Sequence, residues 1–330
     1  MRIVYIGTSD IAVPALLALI EKGHEVAAVI TQSDKGSGRG KNIRFSPVKD
    51  AALQNGILLL QPERIGEEEV LEKVRTMGPD LFVVASYAQK IPEEFITLAP
   101  YGCINIHPSL LPKYRGAAPL AGPILNGDEE TGVSIMRIAE KLDSGNILAQ
   151  EKIRLDPKET AQTLERKTAE LGAGLLLSVI EGLEKGSVEE IEQKEEDATY
   201  IRQIAKEEGR IDFSEPAEVI ERKIRAFIPW PSAYTTLEGK TFKIWAADVT
   251  AAKVPEDKRC PLHETCHPHG AGEEAILPGT VTYADKKTLI VKCGKGCLSL
   301  TEVQLEGKKR MTVEEFLRGR KIEKGFVFGE

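Results

Sequence analysis

Asn105 and His107 stand two residues apart at the end of an apolar run, in GCINIHPSLLPKYRG, residues 102–116. Strand side chains alternate between faces with a period of two, so the amide and the imidazole share a face. Two arrangements fit: a hydrogen-bonded polar pair closing a core, or a catalytic pair at the mouth of a sheet. A carboxamide can donate to a developing oxyanion, and a histidine titrating near neutrality can carry a proton. A third polar group follows in EKLDSGNIL, residues 140–148, where Asp143 precedes Ser-Gly between two strand-like runs. Alone, an aspartate there is a turn former. Beside a histidine, its carboxylate would favour the charged imidazole and orient it.

Three further clusters carry charge or metal-binding atoms. Lys35–Arg44, KGSGRGKNIR, sets four cations among glycines. It reads as a solvated loop, or as positive backbone able to order on a phosphate chain. Lys308, Lys309 and Arg310 form a basic turn with the same two readings. Cys260 and Cys266 flank His263, and His267 and His269 follow; Cys293 and Cys297 come later. The C-x5-C and C-x3-C spacings are not those of a standard finger. A tetrahedral zinc ion on the four cysteines and free thiols on a loop are both compatible with them.

The elements that must position these residues alternate. RIVYIG (2–7) is a buried strand, followed by a turn and the helix PALLALIEKG, with Gly23 as its stop. EVAAVIT, GILLLQP, the helix EEEVLEKVRTMG, DLFVVAS and GCINIHP continue the pattern. Alternation of this kind builds an open, doubly wound sheet, and ligands of such sheets sit outside the carboxyl ends of the strands. Asn105 and His107 lie at one of those ends. The first turn, GTSDIA, is not G-x-G-x-x-G, and no acidic residue closes the second strand, which disfavours NAD or FAD. A helix over 160–185 closes a first domain of residues 1–186. A charged stretch without an apolar face, 187–208, reads as a linker. Residues 209–330 hold an amphipathic helix and short strand-like runs between Gly turns, expected to form a small barrel or sandwich.

The 330 residues suggest about two domains. A net charge of −7 argues against a generally basic nucleic-acid binder. The charge is uneven, with 22 Lys and Arg against 31 Asp and Glu in residues 1–200 and 22 against 20 in residues 201–330. The second half therefore tolerates a polyanion. No apolar run reaches the ~18–20 residues of a membrane span, and MRIVYIGTSD lacks a secretory pattern. Five cysteines, an odd number, suit a reducing compartment, so a cytoplasmic protein is expected.

The run N-I-H-P-S-L-L-P, with L-D-S-G about 30 residues later, resembles the folate-dependent formyltransferases that use a 10-formyltetrahydrofolate donor. The resemblance spans nearly the whole chain. TQSDKGSGRGKNIRFSPVK, HPSLLPKYRGAAPLAGPILNGDEETGVSIMRI, EGRIDFSEPAEVIERKIRAFIPWPSAY, LPGTV and EGKKRM are similar to the members that formylate charged initiator tRNA. It implies an α/β architecture: a Rossmann-like open, mostly parallel sheet with a smaller C-terminal OB-like β-barrel. It also implies Asn105, His107 and Asp143 as catalytic residues, and Ser109, Leu110, Leu111 and Pro112 as a folate-binding segment. Tyr87 and Gln89, in SYAQKIP, would lie against the pterin, although this turn has Tyr-Ala where the family has Tyr-Gly. Arg39 and Lys41 would reach the tRNA, as would Lys308, Lys309 and Arg310. The implied partners are the folate donor and charged initiator tRNA, met by a monomer that needs no membrane. A relative acting on a nucleotide sugar or glycinamide ribonucleotide is the alternative. An RNA-binding protein with a relic first domain is a third reading, opposed by the intact Asn105, His107 and Asp143. The cysteine-histidine stretch departs from the resemblance, and zinc there stays one of two readings.

Overall fold

Ile3 to Ile6 are fully buried, as a strand covered on both faces requires. They belong to β1 (Arg2–Gly7), an interior strand of the first sheet. The computed structural model describes residues 1–37, 42–250 and 276–329. These divide into two units: residues 1–120, 129–156 and 163–203 in the first, and 121–128, 157–162 and those from 204 on in the second.

In the first unit β1 leads to α1 (Val13–Glu21), which ends where Gly23 adopts φ +85°. Then come β2 (Glu25–Ile30), the antiparallel hairpin β3 (Lys35–Ser37) and β4 (Asn42–Arg44), and α2 (Pro47–Gln54). The Ser46 hydroxyl caps α2 by accepting from the Lys49 amide. β5 (Leu59–Leu60), α3 (Glu68–Met77), β6 (Leu81–Ala85), α4 (Glu93–Leu98) and β7 (Cys103–His107) follow. After β8 (Arg115–Gly116) the chain contributes α5 (Ala121–Asn126) to the second unit. It returns for β9 (Glu130–Arg137), β10 (Ile147–Arg154), α6 (Ala161–Lys185) and β11 (Tyr200–Ile201).

The seven-stranded sheet runs β10-β9-β7-β6-β1-β2-β5, parallel from β7 to β5, with β9 and β10 antiparallel. Alternate strand residues feed two cores. Ile3, Tyr5, Val83 and Ile104 pack with α1, α2 and α6, and Val4, Ile6, Phe82 and Val84 with α3 and Phe95 of α4. The expected doubly wound sheet is present. GILLLQP shrinks to the two residues of β5 because it pairs only with β2 at the sheet's edge.

The second unit holds α7 (Ala217–Ala226), β12 (Ala233–Leu237), β13 (Lys240–Val249), β14 (Val281–Ala284) and β15 (Leu289–Lys292). It ends with β16 (Cys297–Leu305), β17 (Met311–Thr312) and α8 (Val313–Gly319). Its antiparallel sheet runs β12-β13-β16-β15-β14, with β17 also on β16. Phe242, Ile244, Val291, Leu298 and Val303 form its core with Ile220 and Ile224 of α7. β12 and β14 do not pair directly, but residues 325–328 bond the backbone at Gly279 and Val281, and the Gly329 amide donates to the Thr236 carbonyl of β12, an arrangement consistent with the expected small barrel. Among the described residues no helix is long and apolar enough to cross a membrane.

Candidate active site

β7 lies between β6 and β9, with Asn105 beside Val84 and Met136 and His107 beside Ser134. Pairing on both sides fixes the strand, so its last two odd-numbered side chains leave one face at its carboxyl end. Asn105 is half-buried, and among the described residues no hydrogen bond ties up its amide. His107 is 4% exposed. Its Nε2 lies 3.0 Å from the Tyr114 carbonyl. A carbonyl only accepts, so Nε2 carries the hydrogen in the neutral ring and Nδ1 keeps its lone pair. Nδ1 is 3.8 Å from Asp143 Oδ2. That exceeds hydrogen-bond length but leaves a third atom room to sit about 3 Å from both. Burial pushes the imidazolium down from its ordinary pKa, while Asp143 and the Tyr114 carbonyl pull it back up. At neutral pH the ring is therefore a neutral base with a carboxylate at hand.

Asp143 sits in the turn between β9 and β10 with φ +51°. Its Oδ2 accepts from the Gly116 amide at 2.8 Å. Gly116 has φ +117°, and a Cβ there would stand 2.3 Å from the Ile201 carbonyl, so no other residue fits without a shift. Tyr114 is also left-handed, at φ +61°. Two non-glycine residues in this region, both touching His107, concentrate backbone strain at one place, a feature typical of functional sites.

The expected linker is docked on this unit. Residues 191 and 147 exchange two backbone hydrogen bonds, β11 pairs in parallel with β8, and the Thr199 hydroxyl accepts from the Tyr114 amide at 2.8 Å. Gln193 and Glu195 both bind Arg115, which is 1% exposed. Arg115 and Gln193 were not among the sequence candidates. A cation in KYRG and an amide in EIEQKEED carry no periodic signal, and their contacts span about 80 residues of chain.

The folate candidates separate. Ser109 is fully buried, its hydroxyl donating to the Lys113 carbonyl and its carbonyl accepting from Ser134. Leu111 packs on Met136 and Ile147. Gln89 spends its amide on the Ile65 and Glu63 backbone. In these contacts the three side chains shape the loops. Leu110 and Pro112 are half-buried. Tyr87 has a buried hydroxyl without a partner among the described residues, as does the Thr8 hydroxyl at the end of β1. Burial pushes the Tyr87 phenol up to about 12, so it stays a donor.

Arg39 and Lys41 lie outside the described residues, but the residues flanking β3 and β4 are anchored. Lys49 Nζ donates to Asp34 Oδ2 at 2.6 Å and to Gln61 Oε1 at 2.9 Å, beneath the Phe45 ring. In the second unit Lys308 and Lys309 are exposed, and Arg310 pairs with Glu302 above the Trp245 ring. The described residues lend the zinc reading no support. Cys293 and Cys297 are buried and outside any disulfide, Cys293 lies in the second core, and burial pushes its thiol up to about 12. Cys260 and Cys266 lie outside the described residues, and among the described residues no group of three potential ligands occurs.

Residues 1–180 match the family model described as formyl transferase, and residues 203–321 match that of the formyl transferase C-terminal domain. The chain belongs to the formyl transferase family. The methionyl-tRNA formyltransferase of Lachnospira eligens is 45% identical over 330 residues, all of both chains. That of Bacillus subtilis (strain 168) is 41% identical over 329 residues, 99% of this chain and 98% of its own. Among solved structures, the sugar 3N-formyl transferase WlaRD, seen with dTDP and 5-N-formyl-THF, superposes with TM-score 0.63 at 22% identity. The match covers 94% of this chain and 99% of that one. HypX from Aquifex aeolicus in complex with tetrahydrofolic acid gives TM-score 0.63 at 18% identity, covering 99% of this chain and 51% of that one. Formyl transferases move a one-carbon acyl group, a reaction that needs an oxyanion donor and a proton carrier. The face shared by Asn105 and His107 carries an amide and an imidazole whose chemistry suits those two tasks.

Proposed function

We propose that this formyl transferase passes the formyl group of 10-formyltetrahydrofolate to the free amino group of methionyl-initiator tRNA, with Asn105, His107 and Asp143 as its catalytic residues. The observation that carries the chemistry is His107 Nδ1 facing Asp143 Oδ2 at 3.8 Å beside the free Asn105 amide. The acceptor is supported by full-length relatives that bear the name methionyl-tRNA formyltransferase.

The amine nitrogen attacks the formyl carbon, and the new C–N bond forms as the formyl oxygen becomes an oxyanion. Asn105 donates to that oxygen. His107 Nε2–H is spent on the Tyr114 carbonyl, so Nδ1 is the ring atom that receives the amine's proton. Asp143 stabilises the resulting imidazolium. The bond to N10 then breaks, N10 takes the proton from Nδ1, and the ring returns to its neutral form. Leu110, Pro112 and Tyr87 would border the pterin. Arg39, Lys41, Lys308, Lys309 and Arg310 would meet tRNA phosphates.

The test is incubation with 10-formyltetrahydrofolate and either charged initiator tRNA or an amino-sugar nucleotide. N-formylmethionyl-tRNA should form, and Asn105→Ala, His107→Ala and Asp143→Ala should each lower kcat by about 10²–10³-fold. Turnover of the sugar nucleotide alone would overturn the acceptor. Near-normal kcat in all three variants would overturn the site.

A further inference from the structure

Between Glu184 and Gln203 a single side chain is buried, that of Gln193. Its neighbours, EEIE before it and KEED after it, are exposed. An amide withdrawn from water costs free energy unless its polar atoms are matched, and here they are. Oε1 accepts from Arg115 Nε at 3.0 Å, and Nε2 donates to the Asp143 carbonyl at 2.9 Å and the Gly145 carbonyl at 2.7 Å. A guanidinium only donates, so the oxygen must face Arg115 and the NH2 must face the turn. Arg115 is itself held by Glu195 at 2.7 Å and the Tyr200 hydroxyl at 2.9 Å.

We infer that Gln193 is a positioning residue for formyl transfer: it ties the 187–203 segment, through Arg115, to the turn that presents Asp143 to His107. The inference rests on the reading of His107 and Asp143 as the catalytic pair. Asp143 at φ +51° lies where non-glycine residues settle only under outside constraint. Two constraints act on it. The Gly116 amide holds the carboxylate, and the Gln193 amide holds the carbonyls on either side of Ser144. Without the second, the turn relaxes and the carboxylate leaves its place opposite Nδ1. The imidazolium formed during transfer then lacks its counter-charge.

Gln193→Glu separates positioning from docking. It keeps an acceptor for Arg115 and so keeps the segment in place, but offers no N–H to the carbonyls. Gln193→Met, similar in volume, removes both functions. Each is compared with Asp143→Asn for folding by circular dichroism, for kcat and KM with both substrates, and for the His107 ring pKa by NMR. In folded Gln193→Glu, kcat should fall by up to about 10²-fold while both KM values stay within about twofold. In Gln193→Met, which adds no charge, the His107 pKa should drop below the wild-type value, in the direction of Asp143→Asn. Wild-type kcat and His107 pKa in either folded Gln193 variant, with Asp143→Asn crippled, would overturn the positioning role. Undiminished kcat in Asp143→Asn would instead overturn the catalytic pair itself.

Discussion

Gly116→Ala tests how tightly the site depends on one backbone N–H. The added Cβ would stand 2.3 Å from the Ile201 carbonyl, and real contacts of this kind stay above 3.0 Å, so β8 must retreat by about 0.7 Å. Ile201 belongs to β11, and its carbonyl already accepts from the Ala117 amide at 2.9 Å, so it cannot simply swing aside. A retreat of that size along the bond stretches the 2.8 Å contact between the Gly116 amide and Asp143 to about 3.5 Å. A hydrogen bond to a charged group contributes about 1.5–3 kcal/mol, and a left-handed φ costs alanine about 1–3 kcal/mol more. The variant should therefore lose about 2.5–6 kcal/mol from the first unit in urea unfolding followed by circular dichroism. It should also lose up to about 10²-fold in kcat, because Asp143 is displaced. A variant with wild-type kcat and unchanged unfolding midpoint would refute the reasoning: neither the close approach nor the amide would then matter.

His107 is held neutral by burial, so above its unfolded pKa of about 6.5 it adds no pH dependence. Below that value the unfolded chain takes up a proton that the folded ring resists, and stability falls by up to about 1.4 kcal/mol per pH unit. Urea titrations of wild type and His107→Gln between pH 5 and 7.5 should show the steeper acid loss in wild type; parallel curves would count against it. Arg39→Ala should leave the melting temperature within the small range of surface changes, about 0.5 kcal/mol, yet weaken formylation at limiting tRNA. Equal formylation would remove the hairpin from the tRNA interface. Cys293, with its thiol pushed up to about 12, should resist iodoacetamide at pH 8 in the native protein and react on unfolding. Rapid native labelling would contradict its place in the core.

The interior strands were legible because they are apolar on both faces: β1 and β6 fall within the expected runs. The shared face of Asn105 and His107 followed from a period of two. Asp143 was legible only in combination, since an aspartate before Ser-Gly is ordinary by itself. What stayed hidden is polar and long-range. The Ser109 hydroxyl closes its loop to Lys113, and Gln89 bonds backbone 24 and 26 residues away, contacts that no local pattern announces. Lys49 carries no signal in the sequence, yet it is 8% exposed between Asp34 and Gln61. Burial of a charged group is decided by partners that local pattern does not reveal.

The docked segment also constrains how the protein can vary in length. Connections between domains ordinarily absorb insertions at little cost. From Glu190, bound to Arg137 and Asn146, to Ile201 on β8, this one is pinned at several points in fixed register. One extra residue inside that span would carry either Gln193 or Thr199 off its partner. Gains and losses of residues are therefore expected between Gly186 and Glu189, or beyond Gln203. A catalytic fragment ending at Gly186 would strip Arg115 of Gln193, Glu195 and Tyr200 together, leaving a buried cation without its side-chain partners. The portion of the chain that keeps these contacts runs on to Ile201, past the end of α6.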